Sequence, residues 1–297
     1  MRFYIAVTDN DWYSFLAARS PDEVNFWQPS GRYAFRAIEQ YAPFLFKLHS
    51  PRNFIVGGGF FVSHSILPLS LAWASFGEKN GAPDEETCRI RIRKYRSRND
   101  PRPSFAKAAE GKLATSTFAK ATVAKRDSGL LDPMIGCIIL TQPFFFPESD
   151  WIPAPADWSP NIVQGKTYDT EDFIGRRLWE QVQERLAWMN LETAAVTAEP
   201  ARAGMVAEAR YSWQYLARRL GQGAFRVLVT DAYQRRCAIT GERTLPVLEA
   251  AHIKPFAQEG PHEVRNGLLL KEDFHTLFDK GYLTVTPEYR VEVSKRI

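Results

Sequence analysis

Apolar and polar positions along the first half of the chain fall into short alternating runs and compact blocks, which predict a strand-rich region. Phe3-Tyr-Ile-Ala-Val-Thr8 alternates enough for a first strand. Asp9-Asn-Asp11 reads as a turn or helix cap, and Trp12 to Arg19 as a short helix. Glu23-Val-Asn-Phe-Trp27 leads into the turn signal Pro29-Ser-Gly31. Pro43 to His49 is a nearly continuous apolar run with the look of a strand. Phe54 to Val62 predicts a strand pair or one bulged strand, interrupted by Gly57, Gly58 and Gly59. Leu69 to Phe76 predicts a helix ending near Gly77. Arg89-Ile-Arg-Ile-Arg93 has period 2 and predicts a strand with one basic face. Ile135 to Gln142 is the last clear strand, followed by Pro143-Phe-Phe-Phe-Pro147.

The pattern then changes. Residues 104–129 are rich in Ala, Lys, Ser and Thr and predict a basic, mobile insertion between two strands. Pro147 to Asp172 holds Pro153, Pro155 and Pro160 and predicts an extended surface connection. Phe173, Ile174, Leu178, Val182 and Leu186 recur at helical spacing within Glu171 to Asn190. Thr193 to Ala203 reads as a loop and Tyr211 to Leu220 as a helix. Ala224 to Arg236 predicts a further helix, with Phe225, Leu228, Val229 and Tyr233 inward and Arg226, Arg235 and Arg236 outward.

Beyond it lies the stretch that carries chemistry. Pro246 to His252 predicts a strand, Lys254 to Arg265 a loop, and Gly267 to Leu270 a second strand. Asp273 is placed to cap a helix carrying His275 and Asp279, which Gly281 would end. His275 and Asp279 are four apart and share a helix face, where an imidazole and a carboxylate can bind a divalent cation. His252 closes the first strand, Asn266 lies fourteen residues on, and His275 nine beyond that. Phosphodiester hydrolysis needs a base for water and a Lewis acid at the phosphate. His252 suits the base, Asn266 can hold the facing loop or the base, and His275 with Asp279 can hold a metal. Buried structural histidines are the plainer alternative.

Composition narrows the setting. A 297-residue chain that is 45% hydrophobic and 24% charged predicts a globular protein of about two domains. Its three cysteines form no CxxC pair, which argues against a disulfide framework and points to a reducing, cytoplasmic setting. The start has no secretory pattern and no apolar run suggests a membrane span. The net charge of +4 leans only mildly towards nucleic acid.

The segment from about Gly221 to Pro287 resembles the HNH endonucleases of the ββα-metal type. The signatures are Ala250-Ala-His-Ile253, Asn266-Gly-Leu268 and His275-Thr-Leu-Phe-Asp279. The resemblance implies His252 as general base, Asn266 as the middle Asn and His275 as metal ligand, with Asp279 where some relatives carry another ligand. Many relatives place an acidic or His ligand just before the base; here Ala251 stands there, and Glu249, on the same strand face, is the substitute. Many also carry a structural zinc CxxC pair, whereas here Cys237 is followed by Thr240, so no structural zinc is expected.

The first half resembles an EVE-like member of the PUA superfamily in its pattern of FWQPSG, PFLFKLHSPRNFIVGGGFFV, LPLSLAW and IGCIILTQPFFF. That resemblance implies a small, bent β-barrel-like domain whose pocket admits a base flipped out of nucleic acid. Trp27, Phe60, Phe61 and Trp73 are the candidate aromatic walls, and Ser30, His49 and Asn53 the candidate polar readers; core packing is the competing role for each aromatic. Arg89, Arg91, Arg93 and Lys94, with Arg235 and Arg236, are candidates for phosphate contact.

Together these readings imply an α+β chain: an EVE/PUA-like reader over 1–153, a linker with helices over 154–220 and an HNH domain over 221–297. The expected activity is modification-dependent cleavage of double-stranded DNA at 5-methyl- or 5-hydroxymethylcytosine, as in type IV-like restriction endonucleases. Mg²⁺ is the expected metal, with Mn²⁺, Co²⁺ or Ni²⁺ as substitutes. One HNH site cuts one strand, so a homodimer is expected. The alternatives are an HNH nuclease whose reader takes RNA or unmodified DNA, and a DNA-binding protein without catalysis.

Overall fold

The computed structural model describes residues 1–99, 132–196, 220–254 and 263–297. The expected insertion at 104–129 and the helix at Tyr211 to Leu220 fall outside them, apart from Leu220 itself. The fold is mixed α+β, with one large N-terminal sheet and a small C-terminal unit.

The large sheet is built from β1 (Arg2–Thr8), β2 (Glu23–Gln28), β3 (Pro43–Leu48), β4 (Phe54–Pro68), β5 (Met134–Phe145), β6 (Ile152–Pro153) and β7 (Gly165–Asp169). Its order is β2-β5-β4-β3-β1-β7, with β6 on β4. The β1–β3 pair is parallel and the other pairs are antiparallel. All of β3 is buried, which explains its unbroken apolar run. The 15-residue β4 shifts register against β5 near its glycines and again after Phe61, so it is one bulged strand. These irregularities help the sheet to curl, and its path still ends openly at β2 and β7. No closed barrel forms among the described residues, in contrast to the expectation; residues of β1 and β2 instead border a common cleft.

Side-chain alternation sends β1, β3 and β4 into two cores. On one face, Ala6, Phe44, Phe46 and Ile138 pack under α1 (Asn10–Ala17), α2 (Leu69–Phe76) and α3 (Glu85–Asn99). On the other, Phe3, Ile5 and Leu45 pack under Leu178, Val182 and Leu186 of α4 (Phe173–Val196), whereas Phe173 is exposed. The stretch expected to be an extended connection thus supplies β6 and β7, because Gly165–Asp169 completes the hydrogen bonds of the β1 edge.

The basic strand expected at Arg89 to Arg93 is a helix. Five residues of period 2 are outweighed by their surroundings. Asp84 accepts hydrogen bonds from the backbone N–H of Thr87 at 2.7 Å and its hydroxyl at 2.9 Å, Glu85 and Glu86 occupy the first turn, and Arg89 pairs with Glu85 one turn on. Cys88 and Ile92 are the buried residues, four apart.

In the C-terminal unit, the hairpin of β8 (Leu248–His252) and β9 (Gly267–Lys271) lies between α5 (Gln222–Ala232) and α6 (Glu272–Asp279). Leu248 and Leu269 meet Phe225 and Val229 on the α5 side. Ala251, Leu268 and Leu270 meet Phe274 and Phe278 on the α6 side. Helix α6 begins two residues earlier than expected: Lys271 is its cap and Asp273 sits in its first turn. A short hairpin, β10 (Leu283–Val285) and β11 (Val291–Val293), ends the chain. No helix among the described residues is long and apolar enough to cross a membrane.

Candidate active site

His252 ends β8 opposite Gly267 of β9. A Cβ at Gly267 would lie 2.3 Å from Val229 Cγ2 and 3.1 Å from Phe225 Cζ, so only glycine lets α5 approach the hairpin this closely. The approach brings Phe225 under His252, with the two rings 4.0 Å apart and 9° from parallel. The contact fixes the plane of the imidazole.

Asn266 clamps the chain just beyond His252. Its Oδ1 accepts from Lys254 N at 2.9 Å, its Nδ2 donates to Lys254 O at 3.0 Å, and its carbonyl accepts from Ile253 N at 2.8 Å. Of the two expected ways for Asn266 to act, these bonds correspond to holding the loop.

Across the cleft, His275 stands between two carboxylates. Its Nδ1 is 2.7 Å from Glu249 Oε2 and its Nε2 is 3.3 Å from Asp279 Oδ2. A neutral imidazole carries one N–H. If Nδ1 donates to Glu249, the Nε2 lone pair faces Asp279, and a second ring proton or a metal cation can join the two acceptors. The donors therefore suit a hard or borderline divalent ion at Nε2 and Asp279, with Glu249 orienting the ring. Among the described residues, no group of three His, Cys, Asp or Glu side chains is already arranged around such a point. His252, His275, Glu249 and Asp279 line one open cleft of about 780 Å³, together with Phe225 and Arg226.

Cys237 is buried with Phe225 and Leu269, and its Sγ lies 3.5 Å from Thr240 N. Arg235 does not face outward as expected: it donates to Ile66 O of β4 at 2.8 Å and lies 3.3 Å from Asp231. That spends its guanidinium on bracing the end of α5 against the N-terminal sheet. Arg236 is exposed.

The N-terminal candidates divide. Trp27, Ser30 and His49 line a second cleft of about 200 Å³, with Tyr4, Gln28 and Tyr95. Phe60 points into the opposite core, against Phe144. Asn53 takes a positive φ of 50° and accepts from the buried Lys47 at 2.8 Å. Trp73 packs on the core beneath α2. Asn53, Phe60 and Trp73 are therefore not cleft residues. Arg89 is held by Glu85 and Glu86, and Arg91 donates to Gly81 O at 2.5 Å, while Arg93 and Lys94 are exposed on α3.

Sequence reasoning missed Glu23. This fully buried carboxylate of β2 accepts from Gly223 N at 2.8 Å and Ala224 N at 2.9 Å, at the start of α5. Nothing local to a glutamate at the head of a strand announces a partner 200 residues away.

No curated protein matches the chain. The family model described as HNH endonuclease matches residues 237–286, a span that takes in both strands of the hairpin, Asn266 and all of α6. The C-terminal unit is thus an HNH-type nuclease domain, which supports a DNA endonuclease.

Proposed function

We propose that the chain is a metal-dependent DNA endonuclease in which the N-terminal sheet selects a modified cytosine and the C-terminal unit cuts nearby. The observation that carries the nuclease reading is His252, laid flat on Phe225 in the same cleft as His275, Asp279 and Glu249. His252 takes a proton from water as the water oxygen attacks phosphorus. The new P–O bond forms as the bond to the leaving oxygen breaks, and that oxygen departs with the electron pair and is then protonated. Asn266 keeps the strand exit, and hence His252, in register. His275 and Asp279 would hold the divalent ion, which supplies Lewis-acid stabilisation of the phosphate and leaving oxygen. Glu249 orients His275.

The reader assignment rests on the smaller cleft. Its volume suits a single base, its walls include Trp27 and Tyr4, and Gln28, Ser30 and His49 offer edge hydrogen bonds. Tyr33 and Val163 border it and are 81% and 79% exposed, available to fill the gap a flipped base leaves. Arg93, Lys94 and Arg236 are exposed and are the proposed phosphate contacts. One base and one metal site per chain cut one strand, so a double-strand break calls for a homodimer on the DNA.

The test is cleavage of matched plasmids carrying cytosine, 5-methylcytosine or 5-hydroxymethylcytosine, with Mg²⁺ or Mn²⁺. Cutting confined to a modified plasmid is the expected result. Equal cutting of all three would leave the nuclease and remove the modified-cytosine reader; no cutting with either metal would turn the reading to DNA binding alone.

A further inference from the structure

Helix α5 belongs to both halves of the molecule. Ala224 and Val227 pack into the core of the large sheet, along with Leu220 just before the helix, while Phe225 and Val229 pack into the nuclease core. Its first turn has no cap of its own, because the N-cap residue is Gly221. Glu23 of β2 takes that place. A Cβ at Gly221 would fall 2.2 Å from Glu23 Cδ, so the glycine opens the helix end to a carboxylate from the other half. Lys79 balances the buried charge at 3.0 Å. The N–H groups that Glu23 holds belong to Gly223 and Ala224, and the next residue is Phe225, whose ring lies on His252. Four residues beyond Glu23, on the same strand, Trp27 walls the small cleft and donates to Asn80 O at 3.0 Å, next to Lys79.

We infer that Glu23 is a positioning residue for the nuclease: by capping α5 it sets the height of Phe225 and so the orientation of His252, tying the cutting site to the strand that forms the wall of the reader cleft. The inference rests on the proposed role of His252 for its catalytic consequence, but not for its geometry.

The test uses the full chain with labelled histidines. In the parent protein, the His252 ring protons are expected to be shifted upfield by the Phe225 ring. Glu23→Gln, which leaves an acceptor but removes the charge, is expected to reduce that shift. It is also expected to slow single-turnover nicking roughly tenfold, with DNA affinity changed less than about twofold. Val182→Ala, in the core under α4, is the control for a general loss of stability and is expected to lower Tm while keeping both the His252 shift and the nicking rate. An unchanged His252 signal in Glu23→Gln overturns the inference. So does an equal change in Val182→Ala at matched Tm. If the signal moves in Glu23→Gln while His252→Ala still nicks DNA at the parent rate, the positioning stands and the assignment of the base fails.

Discussion

The imidazole of His252 and the phenyl ring of Phe225 lie face to face, 4.0 Å apart and 9° from parallel. His252 therefore has one face sealed by the helix that precedes the hairpin, and it lines the cleft it shares with His275. Removing the imidazole removes the proposed proton acceptor. His252→Ala is expected to lower nicking by about 10²- to 10⁴-fold, the usual range for a general base, and to leave DNA binding intact in a gel-shift measurement. Turnover at the parent rate would reject the assignment.

His275 separates a metal role from an orienting one. His275→Ala is expected to abolish metal-stimulated cleavage. Glu249→Gln keeps the ring and weakens only its Nδ1 partner, so activity should survive at higher Mn²⁺, with the half-saturating concentration raised about 10- to 100-fold. An unchanged metal titration for Glu249→Gln would show that the 2.7 Å hydrogen bond has no part in metal affinity.

Asn266 satisfies both the N–H and the C=O of Lys254. Asn266→Ala leaves those groups without their partner and is expected to cost about 1–3 kcal/mol in denaturant unfolding, with cleavage lost at the same time. Full activity together with a parental Tm would remove Asn266 from the site.

Arg236 and Arg93 should bind phosphates. Changing either to Ala is expected to weaken binding uniformly across DNA sequences and to lower the salt dependence of log K by about one for each arginine removed. Arg235→Ala should differ. Its guanidinium braces α5 on Ile66 O, so the expected change is a lower Tm with the salt slope kept.

Acid should lower the stability of the fold. Burial lowers the pKa of His64 below its ordinary 6.5, with Asp231 partly opposing, and its Nε2 has no hydrogen-bond partner among the described residues. The folded chain thus prefers the neutral ring. Below pH 6.5 the unfolded chain takes up a proton that the folded chain resists, so stability present at pH 7 falls as the pH drops towards the folded pKa. The slope of Tm against pH between 6.5 and that value should flatten in His64→Asn. An unaltered slope would acquit His64.

The strand β3, helix α2 and the two strands of the nuclease hairpin are legible in the sequence because each is a local apolar run bounded by turn residues. The order His252, Asn266, His275 and Asp279 is legible because one supersecondary unit carries all four. Arg89 to Arg93 misleads because five residues satisfy two periodicities, and Asp84 and Glu85 upstream decide between them. Phe60 misleads because the face taken by a residue in β4 depends on the register shift beside it. Glu23 cannot be read locally, since its partners are backbone N–H groups on the far side of the chain.

The double membership of α5 has a consequence for anyone who would move the nuclease onto another recognition module. A fragment beginning just before Leu220 carries the greasy flank of Leu220, Ala224 and Val227 into water and strips the helix end of its carboxylate. One beginning at Cys237 leaves His252 without its platform. Neither cut frees a self-sufficient cassette. A working chimera has to bring a host surface that supplies both an apolar bed and a buried acid at the helix start.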